Sequence, residues 1–172
     1  MDTRTKILSR EGLRDLLDEH RRAGRKIVLA NGIFDLLHVG HVRYLKAARG
    51  EGDILVVGLN SDTSARRLKG EGRPILNERA RATLIAALAV VDYVIIFDDL
   101  DVKSLLEEFH PDVHAKGTDY TADTVPERDT ASRLGIRVAI VGDPKNHSTR
   151  DLLAQLRQPI DAPAIDARSI DE

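Results

Sequence analysis

The chain has no cysteine and no tryptophan, and aromatic residues make up only 3% of it. Without cysteine there are no disulfides, thiolate metal sites, iron–sulfur clusters or cysteine nucleophiles. Net charge is also nearly absent: 28 acidic and 26 basic side chains leave a formal charge of -2. That balance argues against nucleic-acid binding driven by bulk positive charge, while leaving room for a small basic pocket around a phosphorylated ligand. No apolar run reaches the ~20 residues needed to cross a bilayer. The opening MDTRTKILSREG lacks the apolar core of a secretory signal. The expectation is a cytoplasmic protein with neither membrane nor nucleic-acid partners.

What is present suits one globular domain. The 172 residues are 42% hydrophobic and 31% charged, enough to bury a core without staples. Residues 1–25 read as an N-terminal helical extension, 26–157 as the domain proper and 158–172 as a loose tail of proline, alanine and aspartate. Leu13, Leu16 and Leu17 recur at helical spacing within 9–23, and Gly24 stops that helix. Short apolar or β-branched runs at 26–30, 54–59, 93–97, 112–115 and 136–141 read as strands. Helical patterns at 40–49, 78–90, 102–109, 127–134 and 148–156 alternate with them.

Five apolar strands alternating with helices imply a Rossmann-like, doubly wound α/β fold, with a five-stranded parallel sheet and helices on both faces. Ligands of such sheets bind outside the carboxyl ends of the strands, where strand order reverses. The segments just after the strands are therefore the places to search.

After the first strand comes Asn31-Gly32-Ile33-Phe34-Asp35-Leu36-Leu37-His38-Val39-Gly40-His41. This is neither G-x-G-x-x-G nor G-x-x-x-x-G-K-[ST], so dinucleotide binding is disfavoured and a P-loop is excluded here. A glycine turn leads instead to two histidines flanking Gly40. A helix starting there aims its first N–H groups at the strand ends, and with His38 and His41 they form a site for polyphosphate. Gly40 allows close approach of a ligand. A metal site and a pair of ordinary surface histidines are the alternatives from the residues alone.

The segments Gly32-Ile33-Phe34-Asp35 and His38-Val39-Gly40-His41 resemble the nucleotidyltransferase superfamily defined by its H-x-G-H motif. Within it, the chain is most similar to the D-glycero-β-D-manno-heptose 1-phosphate adenylyltransferases. The supporting segments are VVGLNSD, RRLKGEGRPI, ALAVVDYVIIF and KGTDY. H-x-G-H is specific only to the superfamily, and RRLKG and KGTDY narrow the resemblance.

The resemblance implies AMP transfer from ATP to a sugar 1-phosphate, with Mg2+ accompanying ATP, no assigned metal ligands, and a homodimer built through residues 87–97. It assigns His38 and His41 to the α-phosphate, the backbone of Gly32, Ile33 and Phe34 to the nucleotide phosphates, and Asp35 to holding the turn or placing the metal. Lys69, in the Gly- and basic-rich stretch 66–73, becomes a catalytic residue on a flexible arm that reaches the phosphates. Arg66 is a substrate-binding candidate; Arg81 is either substrate-binding or a helix-surface charge. Lys116, Gly117 and Thr118 form a substrate loop after the fourth strand, with Asp119 assigned to the nucleotide. His147, Ser148, Thr149 and Arg150 start a final helix that meets the β- and γ-phosphates, and residues 143–146 lie against the base. Thr118 and Arg150 depart from the usual K-G-G-D-Y and Ser-Thr-Thr patterns. His20, His110 and His114 belong to no constellation and read as surface or core histidines. The rival functions are a cytidylyltransferase acting on a polyol phosphate such as glycerol 3-phosphate, and a nucleotide-binding protein without turnover.

Overall fold

A computed structural model describes residues 3–121 and 123–143. Five strands form one parallel sheet: β1 (Ile27–Gly32), β2 (Ile54–Asn60), β3 (Tyr93–Phe97), β4 (Val113–Gly117) and β5 (Arg137–Val141). The spatial order is β3-β2-β1-β4-β5. The chain winds outward from β1 to one side and then crosses to the other, so strand order reverses between β1 and β4.

Alternation along the strands divides the core into two layers. Val28 and Ala30 of β1 face α2 (Val39–Arg49) and α4 (Glu78–Ala86), which contribute Leu45, Ala48, Ala82 and Ile85. Ile27 and Leu29 face α1 (Arg10–Arg22), α5 (Lys103–Phe109) and α6 (Arg128–Arg133), which contribute Leu13, Leu17, Leu105, Phe109 and Ala131. Covered on both faces, the central strands read as continuous apolar runs. This is the doubly wound sheet that the sequence implies. No helix among the described residues is long and apolar enough to cross a membrane.

Three aspartates pin the amino-terminal rim. Each directly precedes a strand, and its carboxylate accepts a backbone N–H within one residue of the start of the neighbouring one. Asp53 accepts from Lys26 at 2.8 Å, Asp92 from Leu55 at 2.7 Å and Asp112 from Ile27 at 2.7 Å. These bonds satisfy donors that the sheet ladder leaves open and fix register at the end remote from the site.

The chain also lies along β3 before entering α1. Ile7 bridges Val94 in parallel, and the Leu8 N–H donates to the Val94 carbonyl at 3.0 Å. The buried Lys6 ammonium donates to the carbonyls of Val91 at 2.6 Å and Leu88 at 3.3 Å.

The main correction concerns residues 62–69. The basic stretch begins as a helix, α3 (Asp62–Lys69), where the sequence suggested a flexible arm. Ser61 caps it by accepting from the Ser64 N–H at 3.1 Å, and Asp62 stands in its first turn. Arg66, Arg67 and Lys69 fall at its carbonyl end, where positive charge complements the helix dipole. The glycines that suggested a loop, Gly70 and Gly72, begin only beyond it. Two smaller differences follow: α4 ends at Ala86, short of residue 90, and β4 runs on to Gly117. Lys116 and Gly117 are therefore the last residues of a strand, not part of the loop after it. The expected helix at 148–156 lies outside the described residues.

Candidate active site

The carboxyl end of β1 builds the first wall. Phe34 adopts a left-handed backbone (φ 49), which turns the chain sharply after the strand. A Cβ on Gly32 would meet the Phe34 ring at 3.0 Å, so glycine leaves space for that ring to fold back. The buried Phe34 ring lies edge-on to His41 (5.1 Å) and stacks loosely on Tyr44 (6.5 Å). The Tyr44 hydroxyl donates to the Ala115 carbonyl on β4 at 2.8 Å, and burial pushes its pKa up. A turn, an aromatic ring and a catalytic candidate thus form one packed unit.

His38 is the extended residue that opens α2 (φ -138, ψ 170), and its side chain makes no cap bond to that helix. Its ring stacks on His41, with centroids 3.8 Å apart and planes 25° apart. Both rings therefore stand at the amino-terminal end of α2, beside the first-turn N–H groups that no helical carbonyl can reach. Ring N–H donors and the positive end of the helix dipole converge beside the strand ends, an arrangement suited to a phosphate gaining negative charge.

Asp35 holds the loop that faces this turn. Its buried carboxylate accepts from the Ile75 N–H at 2.7 Å, the Leu76 N–H at 3.1 Å and Arg73 Nε at 2.5 Å. These bonds tie the turn after β1 to the 73–76 loop, as the holding role implied for Asp35 requires. Arg73 is that carboxylate's ion-pair partner.

Arg81 is neither a surface charge nor open to solvent: it is 0% exposed. Its guanidinium donates to the carbonyls of Leu76 (2.9 Å), Ile33 (2.5 Å) and Asn60 (2.9 Å), and to the Asp62 carboxylate (2.7 Å). Glu78 accepts from the Asp62 N–H at 2.8 Å, so the starts of α3 and α4 are tied together at the same place. Arg81 thereby joins the turn after β1, the end of β2, the 73–76 loop and α3. Among the described residues its partners are these carbonyls and the Asp62 carboxylate.

On the other side of β1, β4 contributes a buried polar cluster. Lys116 Nζ pairs with Glu127 at 3.1 Å, donates to Asn31 Oδ1 at 3.2 Å and lies over the Tyr120 ring. His114 Nε2 meets the same Asn31 oxygen at 3.3 Å. Burial, and secondarily the Lys116 charge, lowers the His114 pKa to about 3, so this imidazole is neutral at ordinary pH. Beyond the strand, the Tyr120 N–H closes a turn onto Gly117, and the Thr118 hydroxyl donates to the Asp143 carbonyl at 2.9 Å. Asp119 is exposed within that turn.

Lys69 and Arg66 are exposed on α3 and make no ion pair among the described residues. His147, Ser148, Thr149 and Arg150, with residues 144–146, lie outside those residues. Sequence reasoning passed over Asn31, Glu127 and the tie from His114. The two-residue alternation of strand 113–117 was the available signal, since it places His114 and Lys116 on one face. No group of three or more His, Asp and Glu side chains among the described residues stands ready to hold a metal ion.

Known proteins share this architecture. The family described as Cytidylyltransferase-like matches residues 29–156. The bifunctional protein HldE of Syntrophotalea carbinolica is 47% identical over 88% of this chain and 31% of its own length. That of Geobacter metallireducens is 45% identical over 90% of this chain and 32% of its own. The chain thus spans about a third of the length of these curated relatives. Among solved structures, the lipopolysaccharide core biosynthesis protein from Thermoplasma volcanium GSS1 is 31% identical, with a TM-score of 0.61. That alignment covers 71% of this chain and 100% of the other. The stacked histidines at the start of α2, the reversal of strand order beside them and the match over most of the sheet agree: the chain belongs to the cytidylyltransferase-like family of nucleotidyltransferases.

Proposed function

We propose that the protein is an adenylyltransferase that moves AMP from ATP to a sugar 1-phosphate, with D-glycero-β-D-manno-heptose 1-phosphate as the acceptor. An oxygen of the acceptor's phosphate attacks the α-phosphorus in line. The bond from that phosphorus to the bridging oxygen breaks, and pyrophosphate departs with the electron pair. The products are an ADP-sugar and pyrophosphate. The substrate phosphate is itself the nucleophile, so no protein nucleophile is required.

The observation that carries this reading is the His38–His41 stack at the amino-terminal end of α2, beside the end of the central strand. Donors fixed before the reaction stabilise charge that develops on the α-phosphate without reorganising. Gly32, Ile33, Phe34 and Gly40 bring backbone close to the nucleotide, and Asp35 and Arg81 keep that backbone in place. Magnesium arrives as MgATP, part of the substrate. Lys69, Arg66, Gly117, Thr118 and Asp119 complete the proposed substrate contacts, together with residues 147–150, and Lys116 serves the same site from its buried pair with Glu127. The HldE relatives and the lipopolysaccharide core protein support the sugar assignment by likeness. A cytoplasmic homodimer belongs to the same reading, and sedimentation of the purified protein tests its assembly.

The test is pyrophosphate release with Mg2+, pairing ATP or CTP with heptose 1-phosphate or glycerol 3-phosphate. Release only with ATP and the heptose phosphate is expected. Release with CTP and glycerol phosphate would overturn the substrate assignment and keep the histidine chemistry.

A further inference from the structure

We propose that Asn31 is a specificity-determining residue of the acceptor site, its side-chain NH2 donating to a hydroxyl oxygen of the sugar phosphate at the junction of β1 and β4. The inference deepens the sugar-phosphate reading above and rests on it.

Three observations carry it. First, the amide orientation is fixed. Asn31 Oδ1 faces two donors, Lys116 Nζ at 3.2 Å and His114 Nε2 at 3.3 Å. An ammonium can only donate, so the oxygen must point toward β4 and the NH2 away from it. Nδ2 meets no acceptor among the described residues.

Second, the supports are buried and the amide is not. His114 is 0% exposed, Lys116 5% and Glu127 2%, whereas Asn31 is half-buried. The Lys116 charge is met by Glu127 at 3.1 Å. A cluster already neutralised in this way offers a directed hydrogen bond in place of an attraction for anions. That chemistry suits a hydroxyl, and it assigns Lys116 to orienting Asn31.

Third, the location is right. Asn31 sits at the carboxyl end of β1, where strand order reverses. By strand alternation its side chain lies on the face of Ile27 and Leu29, opposite the face on which α2 packs. The two histidines and Asn31 therefore flank the strand end from opposite sides of the sheet. A nucleotide held at α2 leaves the Asn31 side for the second substrate.

The experiment compares Asn31→Ala and Asn31→Asp with the unaltered full chain. Asn31→Asp keeps an oxygen that accepts from Lys116 and His114 and loses the donor but adds a negative charge; Asn31→Ala, which adds none, separates the lost donor from the added charge. Both variants should raise KM for the sugar 1-phosphate by about 10-fold or more and leave KM for ATP nearly unchanged. One monodeoxy sugar 1-phosphate should impair the unaltered protein by the same factor and cost Asn31→Ala nothing further, because the same bond cannot be lost twice. A parallel rise in both KM values, or equal penalties from every deoxy analogue in both proteins, would overturn the assignment. A second readout needs no turnover. The Asn31 side-chain amide resonances, identified by their absence in Asn31→Asp, should shift on titration with sugar 1-phosphate and stay in place with MgATP alone. Resonances unmoved by a sugar phosphate that the protein does turn over would sink the inference and spare the transferase reading. Shifted resonances in a protein without turnover would do the reverse.

Discussion

The rings of His38 and His41 stack with their centroids 3.8 Å apart, and the edge of Phe34 closes on His41 from the strand side. Each ring therefore limits where the other can go. Neither histidine is an independent donor, because truncating one removes a wall from the other.

That coupling sets the outcome of substitution. His41→Ala should lower kcat by about 10²–10³, the usual cost of one lost charge-stabilising donor, with the fold retained. His38→Ala should do likewise, and the double variant should lose much less than the product of the two. Steady-state kinetics on the three proteins, with circular dichroism as the check on folding, tests this. Near-normal turnover by folded His41→Ala would remove the central assignment.

Arg81→Lys is a conservative change by charge and a severe one by geometry. An ammonium cannot reach four acceptors spread over the 33, 60, 62 and 76 positions, whereas the planar fork does. The variant should lose about 2–4 kcal/mol in urea unfolding, since buried carbonyls are left unpaired. Its KM for ATP should rise, because the Ile33 carbonyl is anchored by that guanidinium.

His114 makes stability depend on pH in the mildly acidic range. Its ordinary pKa of 6.5 applies to the unfolded chain, and the folded value is about 3. Below pH 6.5 the unfolded chain takes up a proton that the folded protein refuses. The contribution is complete above that pH and declines as pH falls toward 3. Lowering the pH from 7 to 5.5 should cost about 1 kcal/mol from this residue. Denaturant titrations at the two pH values should show the loss, and His114→Gln should reduce it by that amount.

Asp112→Ala should separate scaffold from site. Its carboxylate serves the Ile27 N–H at the rim remote from the histidines. The expected result is a loss of about 1–2 kcal/mol in unfolding with kcat unchanged. A fall in kcat at saturating substrates would show that the rim and the site are coupled.

The fold was legible in the sequence because strands covered on both faces are nearly pure apolar runs. The 93–97 segment has the same limits in sequence and structure, and 54–59 gained one residue. The H-x-G-H segment stood out through its resemblance to a known superfamily, because two histidines around a glycine by themselves also suit a metal site or an ordinary surface pair. Helix α3 was missed because its amphipathic signal is short and its charges gather in the last turn, where basic residues also suit a loop. The burial of Arg81 is not legible in the sequence, because a single arginine in a helix says nothing of the carbonyls waiting for it. Those acceptors come from residues 33, 60, 62 and 76, which only the folded chain brings together. The Asn31 cluster was hidden for the same reason: its members stand on β1, β4 and the start of α6.

The residues laid along β3 bear on how the molecule behaves in a crowded solution. An outermost strand offers its ladder to any extended chain that drifts past, and such templates seed aggregation. Here a visiting strand would have to dislodge Ile7 and Leu8 to pair at Val94, and the Lys6 ammonium, bound to the Leu88 and Val91 carbonyls, anchors them there. Three consecutive residues thus guard part of that edge, and shaving them off would leave an adhesive stretch of strand in their place.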